Sequence, residues 1–270
     1  EKVIKTLKKW SGKLIEPKYT KNISASSIKN KLNDFISYPE NRVSRLKRLI
    51  YSKNIVRILE SHNSLTGLII ENLNIKANFI YIVQKSHREK YNLDTLLNLI
   101  TPGCKIVEVE GLTEGAACTA LLSKEFINND QPLFFANSDQ FVEWDSNEFM
   151  YSMVADDVDG GIVSFEATHP KWSFAKLGED GFVTEVAEKK PISNIATVGV
   201  YYWRKGSDYV KYAEQMIDKD IRTNGEFYVC PVYNEAIGDD KKIKVFSIDK
   251  MWGLGTPEDL ERYVNDFNIT

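Results

Sequence analysis

The sequence predicts an α/β fold: a mixed, mostly parallel sheet with helices on both faces, preceded by a basic helical arm. Three observations lead there. From Leu73 onward, short apolar runs alternate with amphipathic segments of about a dozen residues, the rhythm of crossover units between parallel strands. One run, Pro132–Ala136, is apolar throughout and stops at the polar turn Asn137-Ser138-Asp139, which suits a strand buried on both faces of a sheet. Residues 1–57 are rich in Lys and Arg while the remainder is acidic, so the front of the chain differs in character from the rest.

Taken in order, Val3, Ile4, Leu7 and Trp10 fall at helical spacing, with Gly12 as a stop and Lys13–Ile15 as a short strand. Ser24–Ser27 cap a second amphipathic helix through Ile28, Leu32 and Phe35, interrupted at Tyr38-Pro39. Ile55–Leu59 is a strand, followed by a turn at Glu60–Asn63 and a helix over Ser64–Leu73. Strands are then expected at Phe79–Val83, Lys105–Val109 and Pro132–Ala136, separated by helices at Leu93–Ile100 and Gly115–Asn128. A helix over Glu148–Val154 precedes strands at Gly161–Glu166, Ser173–Leu177, Phe182–Val186 and Ala196–Trp203. Gly178-Glu179-Asp180-Gly181 turns the middle pair into a hairpin. Helices at about 207–218 and 226–237, a strand at Lys244–Ile248 and a helix over Pro257–Phe267, with proline in its first turn, complete the chain.

Bulk properties exclude several classes. At 270 residues and 43% hydrophobic, the chain can bury a core as one large domain, or one domain plus an appendage. No run approaches the ~18 apolar residues of a membrane span and the start has no apolar secretory segment, so no membrane partner is expected. A net charge of −3 argues against a general nucleic-acid binder. Cys104, Cys118 and Cys230 have neither paired nor metal-ligand spacing, which points to free thiols and a cytoplasmic location. The chain starts at Glu1 rather than Met, so further sequence upstream is expected.

In open α/β sheets ligands bind beyond the carboxyl ends of the strands, which places Asp139 within reach of a divalent cation; alternatively the turn that holds it is only a turn. His62, His87 and His169 have no acid or nucleophile at motif spacing, and Trp144, Trp172 and Trp252 read as core before they read as base-stacking platforms.

Five stretches in fixed order, EGLTEGAACTA (110–120), FFANSDQ (134–140), EKKPISNIATVGVYYW (188–203), GEFYVCPVYNEAI (225–237) and MWGLGTPEDL (251–260), resemble the sugar-phosphate nucleotidyltransferases over about residues 73–267. The resemblance implies the nucleotidyltransferase (Rossmann-like) form of the α/β fold. It also implies transfer of a nucleotidyl group from a nucleoside triphosphate, CTP or UTP foremost, to a sugar phosphate or similar phosphate monoester, with Mg²⁺ and release of pyrophosphate. On this likeness Asp139 is the metal carboxylate and Thr113, Glu114, Gly115 and Ala116 form the loop that meets the base. Lys189 or Lys190 holds the phosphate, and Asn137, Glu188, Asn194, Gly199 and Glu226 contact the sugar. Each has a plainer alternative: Thr113 as a helix cap, the lysines as solvated turn residues, Glu226 as a first-turn charge. Gly253 stands where the family often has a second metal carboxylate, and nearby Asp249 is a candidate replacement. Whether a second copy of the chain is a further partner stays open.

At the front, EPKYTKNISASSI is similar to the end of the cytidylyltransferase-like domain that precedes some phosphoenolpyruvate mutase barrels, and Asn41–Asn72 resembles the start of such a barrel. The mutase's acidic ligands and gating loop have no counterpart downstream, so its activity is not carried over. The expected organisation is therefore a tail at 1–39, a strand–turn–helix segment at 40–72 and a nucleotidyltransferase domain at 73–270. The family normally opens with a glycine-rich, arginine-bearing loop whose amides cradle the triphosphate. Before Leu73 the only glycines are Gly12 and Gly67, with no Gly-x-Gly-x-Arg. The segment around Ile55–Leu59 is expected to fill the sheet position of the missing strand–loop–helix. Loss of the loop is expected to leave little turnover, since each lost oxyanion-type donor costs roughly 10²–10³ in rate. A non-catalytic nucleotide-sugar binder or recombinant remnant is the second reading, and a mutase-related protein of phosphonate biosynthesis the third.

Overall fold

In the computed structural model, which describes residues 55–60 and 77–267, the strands gather into one nine-stranded sheet and a separate antiparallel pair. All the described residues belong to a unit spanning Ser52–Thr270. The sheet is built from β1 (Ile55–Glu60), β2 (Ala77–Gln84), β3 (Lys105–Val109), β4 (Leu133–Ala136), β6 (Gly160–Glu166), β7 (Ser173–Leu177), β8 (Val183–Glu188), β9 (Ile195–Trp203) and β10 (Ile243–Ser247). The pair is β5 (Gln140–Glu143) with β11 (Lys250–Gly253). Helices are α1 (Lys85–Tyr91), α2 (Leu93–Ile100), α3 (Ala116–Leu121), α4 (Lys124–Ile127), α5 (Ser146–Ala155), α6 (Gly206–Asp218), α7 (Val232–Gly238) and α8 (Pro257–Phe267).

The path across the sheet is β10-β6-β9-β4-β1-β2-β3, with the β7–β8 hairpin attached to β9. Along it only β9 runs against the others, so the sheet is mixed and mostly parallel. β1 lies between β2 and β4 and pairs with both: Val56 sits opposite Asn78 on one side and Leu133 on the other. The expected strand Ile55–Leu59 therefore occupies a central place in the sheet. The expected elements over 1–39 and the helix at Ser64–Leu73 lie outside the described residues.

Side-chain alternation explains why both faces are covered. Leu133 and Phe135 of β4 point into one apolar layer with Tyr201 and Trp203 of β9, where Tyr209 and Tyr212 of α6 and Tyr233 of α7 close over them. Phe134 and Ala136 point into the opposite layer with Val198, Val200 and Tyr202, covered by Leu93 and Leu97 of α2 and by Phe149 and Met153 of α5. All four residues of β4 are buried, as an apolar run without polar alternation requires. Trp203 stacks on Tyr233 with ring centroids 4.3 Å apart and nearly parallel planes.

Several boundaries differ from expectation for identifiable reasons. The helix expected at Gly115–Asn128 is two helices, α3 and α4. At the break, the buried Ser123 hydroxyl donates to the Ala120 carbonyl at 2.6 Å, in competition with the helical ladder. The helix expected at about 226–237 starts only after Pro231, which has no amide to give to a helix interior. Gly225, at φ +84, and the Thr223–Glu226 bridge form a turn ahead of it, so Glu226 is not a first-turn residue. α5 begins at Ser146 because Asp145 caps it, accepting from the amides of Asn147 and Glu148. α1 buries no residue. It is held from its surface by Arg88, which reaches both Asp94 and Glu108 at 2.9 Å.

Candidate active site

The sheet order reverses at β1: β2 and β3 follow on one side, β4 on the other. Such a reversal leaves a crevice at the carboxyl ends of the two strands where the reversal occurs. Asp139 lies three residues past the end of β4, in that position. Two cavities adjoin here, of about 240 Å³ and about 340 Å³, and they share Asn137, Asp139, Ser173, Glu188 and Tyr201. Ala116, Tyr228 and Cys230 help wall the smaller; Gly199, Trp172, Lys171, Thr256 and Asp259 help wall the larger.

Asp139 is clasped by backbone. Its carbonyl accepts from the Leu254 amide at 2.6 Å, and a side chain added at Gly255 would come within 2.8 Å of its Oδ2. The Gly253–Gly255 turn thus lets the carboxylate lie against main chain. Asn137 is seated in the same way. Its amide donates to the Gly199 carbonyl at 3.1 Å, and a Cβ at Gly199 would fall 2.3 Å from its side-chain nitrogen. Gly199 has φ +74, so this position excludes a side chain on both backbone and contact grounds.

Glu188 ends β8 and accepts a short hydrogen bond from the Ser173 hydroxyl of the neighbouring strand. Burial raises its pKa from the usual value, and the Ser173 hydrogen bond and the Lys189 charge oppose that rise. Lys189 follows at φ +54. Its ammonium donates to the Tyr228 hydroxyl at 2.6 Å, and that hydroxyl donates to Glu226 at 2.6 Å. The hydrogen bond to Tyr228, with the nearby Glu188 and Glu226 charges, holds the Lys189 ammonium more basic than usual. In this wall Tyr201 is buried, shares a 2.9 Å hydrogen bond with Thr197, and stays a neutral phenol because burial pushes its pKa well up. Burial likewise pushes the Cys230 thiol up to about 12, so it lines the smaller cavity as an inert apolar group.

The loop before α3 is sutured to the loop before α7. Gly115, at φ +128, packs so closely that an added Cβ would meet the Phe227 carbonyl at 2.4 Å. The Ala117 amide donates to that carbonyl at 2.9 Å, and the Phe227 amide donates to the Glu114 carbonyl at 2.8 Å. Arg222 ties Glu114 to the same loop at 2.5 Å. Thr113 does not cap α3, whose cap position is Gly115. Its hydroxyl instead meets Thr119 at 2.6 Å.

The structure therefore brings together Ala116, Asn137, Asp139, Glu188 and Gly199, with Lys189 and Glu226 linked to the cavity wall through Tyr228. Others it leaves apart. Lys190 is exposed and lines neither cavity. Asn194 is exposed, lines neither cavity, and donates to Glu166 at 3.1 Å. Asp249 precedes β11 at the Lys250–Glu143 end of its ladder, whereas the cavity is at the Gly253–Gln140 end. His87 and His169 line neither cavity, and of the three tryptophans only Trp172 does. Sequence reasoning passed over Tyr228, Ser173, Tyr201 and Asp259. Tyr228 and Asp259 stand inside motifs already noted, GEFYVC and MWGLGTPEDL, where an unassigned polar side chain was the available signal.

The donor set suits a hard cation. Two carboxylates, Asp139 and Asp259, face one cavity with the Thr256 hydroxyl, and Mg²⁺ takes one or two carboxylates and fills its remaining positions with water and phosphate oxygens. Among the described residues, no three His, Cys, Asp or Glu side chains form a ready-made metal cluster.

The profile of the Nucleotidyl transferase family matches residues 46–267. The chain belongs to that family. The match begins ahead of β1 and runs through most of the stretch likened above to a mutase barrel, and the comparisons lend no support to that second likeness. No curated protein matches the chain. Among solved structures, the nucleoside-diphosphate-sugar pyrophosphorylase from Vibrio cholerae RC9 is 20% identical with a TM-score of 0.64, covering 78% of this chain and 99% of its own. A UDP-glucose pyrophosphorylase complexed with UDP-glucose is 13% identical with a TM-score of 0.61, covering 80% and 98%. The inositol-1-phosphate CTP transferase from T. maritima is 14% identical with a TM-score of 0.59, covering 80% and 94%. At these identities the likeness is one of fold. Among the described residues, this member of the family has no helix long and apolar enough to cross a membrane.

Proposed function

We propose that this chain joins a nucleoside triphosphate, CTP or UTP, to a sugar phosphate or related phosphate monoester and releases pyrophosphate, supplying activated precursors of the surface-polysaccharide or phosphonate type. The observation that carries the reading is the convergence of Asp139, Asn137, Glu188 and Gly199 on adjoining cavities at the point where strand order reverses. The folds of sugar-nucleotide pyrophosphorylases and of a CTP transferase support the same class.

In this reading an oxygen of the acceptor phosphate attacks the α-phosphorus in line. The bond from the α-phosphorus to the oxygen that bridges it to the β-phosphate breaks, and pyrophosphate leaves. The protein positions two anions and neutralises charge rather than forming bonds of its own. Lys189, oriented by Tyr228, holds the acceptor phosphate, while Glu188, Asn137 and Glu226 meet sugar hydroxyls. Gly115 and Ala116 offer bare backbone to the base. Carboxylates alone would repel a triphosphate, so Asp139 implies Mg²⁺, which when bound neutralises phosphate charge.

The absence of a Gly-x-Gly-x-Arg loop before Leu73 favours a second reading, a nucleotide-sugar binder without turnover. Pyrophosphate release from each nucleoside triphosphate with a panel of sugar phosphates separates the two. Mg²⁺-dependent release that disappears in Asp139→Asn supports transfer; no release with any pair, alongside saturable nucleotide-sugar binding, supports the binder.

A further inference from the structure

Gly253 is a gap in a ladder. It faces Gln140 across the β5–β11 pair, so a side chain at 253 would lie beside that of Gln140, on the face that lines the larger cavity. The space is filled from elsewhere. A Cβ built on Gly253 would lie 3.4 Å from Oδ2 of Asp259 and 3.6 Å from its Cγ. Two residues on, a Cβ built on Gly255 would lie 2.8 Å from Oδ2 of Asp139. Residues i and i+2 are at most about 7 Å apart along the chain, so the two carboxylates flank one three-residue turn within a single cavity.

Neither carboxylate has a hydrogen-bond or ion-pair partner among the described residues, although lysines pair with acids elsewhere on the molecule. A third group points the same way. The Gln140 side chain is only 6% exposed, lines this cavity, and its Nε2 meets no acceptor. A buried amide donor left unmatched costs about 1–3 kcal/mol, and an oxygen-bearing ligand held at this wall would satisfy it.

We propose that Asp259 supplies, together with Asp139, the second carboxylate of a divalent-cation site, reaching from α8 into the space that Gly253 leaves without a side chain. Gln140 then faces a water or phosphate oxygen held beside the ion. The assignment deepens the nucleotidyl-transfer reading and rests on it for the ion's purpose, but the binding itself is measured independently. Asp259 has a local role too. Its amide donates to Thr256 Oγ1 at 3.1 Å, and an acid in a first helical turn is favourable. That role is satisfied by the backbone and by Glu258, and does not account for a partnerless carboxylate lining the cavity.

Mn²⁺ titrated into the full chain, with free Mn²⁺ followed by electron paramagnetic resonance, tests this directly. Wild type should bind one ion. Asp139→Asn and Asp259→Asn should each weaken binding about tenfold or more, while Asp249→Asn and Glu258→Gln leave it unchanged. Asp259→Asn keeps the amide that Thr256 caps, and combining Asp259→Ala, which empties the space, with Gly253→Asp should restore binding by returning a carboxylate to it. Wild-type affinity in Asp259→Asn, no bound ion in wild type, or no rescue by Gly253→Asp overturns the proposal. Turnover without Asp259-dependent Mn²⁺ binding removes this site alone. Asp259-dependent binding without any pyrophosphate release removes the transfer reading alone.

Discussion

Gly199 shows how one residue sets the position of another. Its positive φ and the 2.3 Å approach of Asn137 leave no room for a methyl group. Gly199→Ala should cost roughly 1–3 kcal/mol in urea unfolding and displace Asn137 from the cavity, raising KM for the acceptor more than for the nucleotide. Glu188 carries a pH signature. Its folded pKa is raised above its ordinary value of 4.5 by burial. A carboxyl of that kind contributes stability below its unfolded pKa and loses it as pH rises through the folded value. Glu188→Gln should therefore gain stability relative to wild type above that window and not below it. Urea midpoints at about pH 7 and about pH 4 check this, and a difference that is constant with pH would contradict it. At this scale the sequence was legible where type alone carries meaning: a carboxylate after a buried strand, or a glycine where backbone must approach. It was opaque for Tyr228 and Asp259, whose roles come from partners far along the chain or from space left by a missing side chain.

Among the elements, β4 and β9 were readable because burial on both faces leaves a continuous apolar run, and α6 because its apolar stripe repeats at helical spacing. β5 and β11 were not. Each has four residues, and they pair across more than a hundred positions, so neither carries a local signal. α1 was missed because it buries nothing and is fixed by charge pairs with Asp94 and Glu108. The contact between β9 and α7 rests on Trp203, 1% exposed and stacked on Tyr233. Trp203→Ala should cost roughly 3–5 kcal/mol, seen as a lower urea midpoint with an unchanged slope, since it opens a cavity between sheet and helix. A loss below about 1 kcal/mol would mean that this layer repacks freely.

At the level of the whole molecule, topology does most of the functional work. A central β1 flanked by β2 and β4 creates the reversal, and the reversal places the turn after β4 at the crevice. The alternation of strands and helices made this architecture legible. The strand Ile55–Leu59 was expected in the sheet on other grounds, as the replacement for the family's first strand, and it takes its place between parallel neighbours. What sequence alone did not show is that two cavities meet on Asp139, or that the loops before α3 and α7 are bonded to each other through Glu114, Ala117 and Phe227. The proposed chemistry makes a new diphosphate bond in this cleft. Phosphorus NMR of the full chain with Mg²⁺, CTP or UTP and a sugar phosphate measures that bond itself. Paired diphosphate resonances of a nucleotide sugar should grow in step with pyrophosphate, and neither should appear with Asp139→Asn. Spectra that stay unchanged for wild type with every nucleotide and acceptor, or product formation that persists in Asp139→Asn, would contradict it.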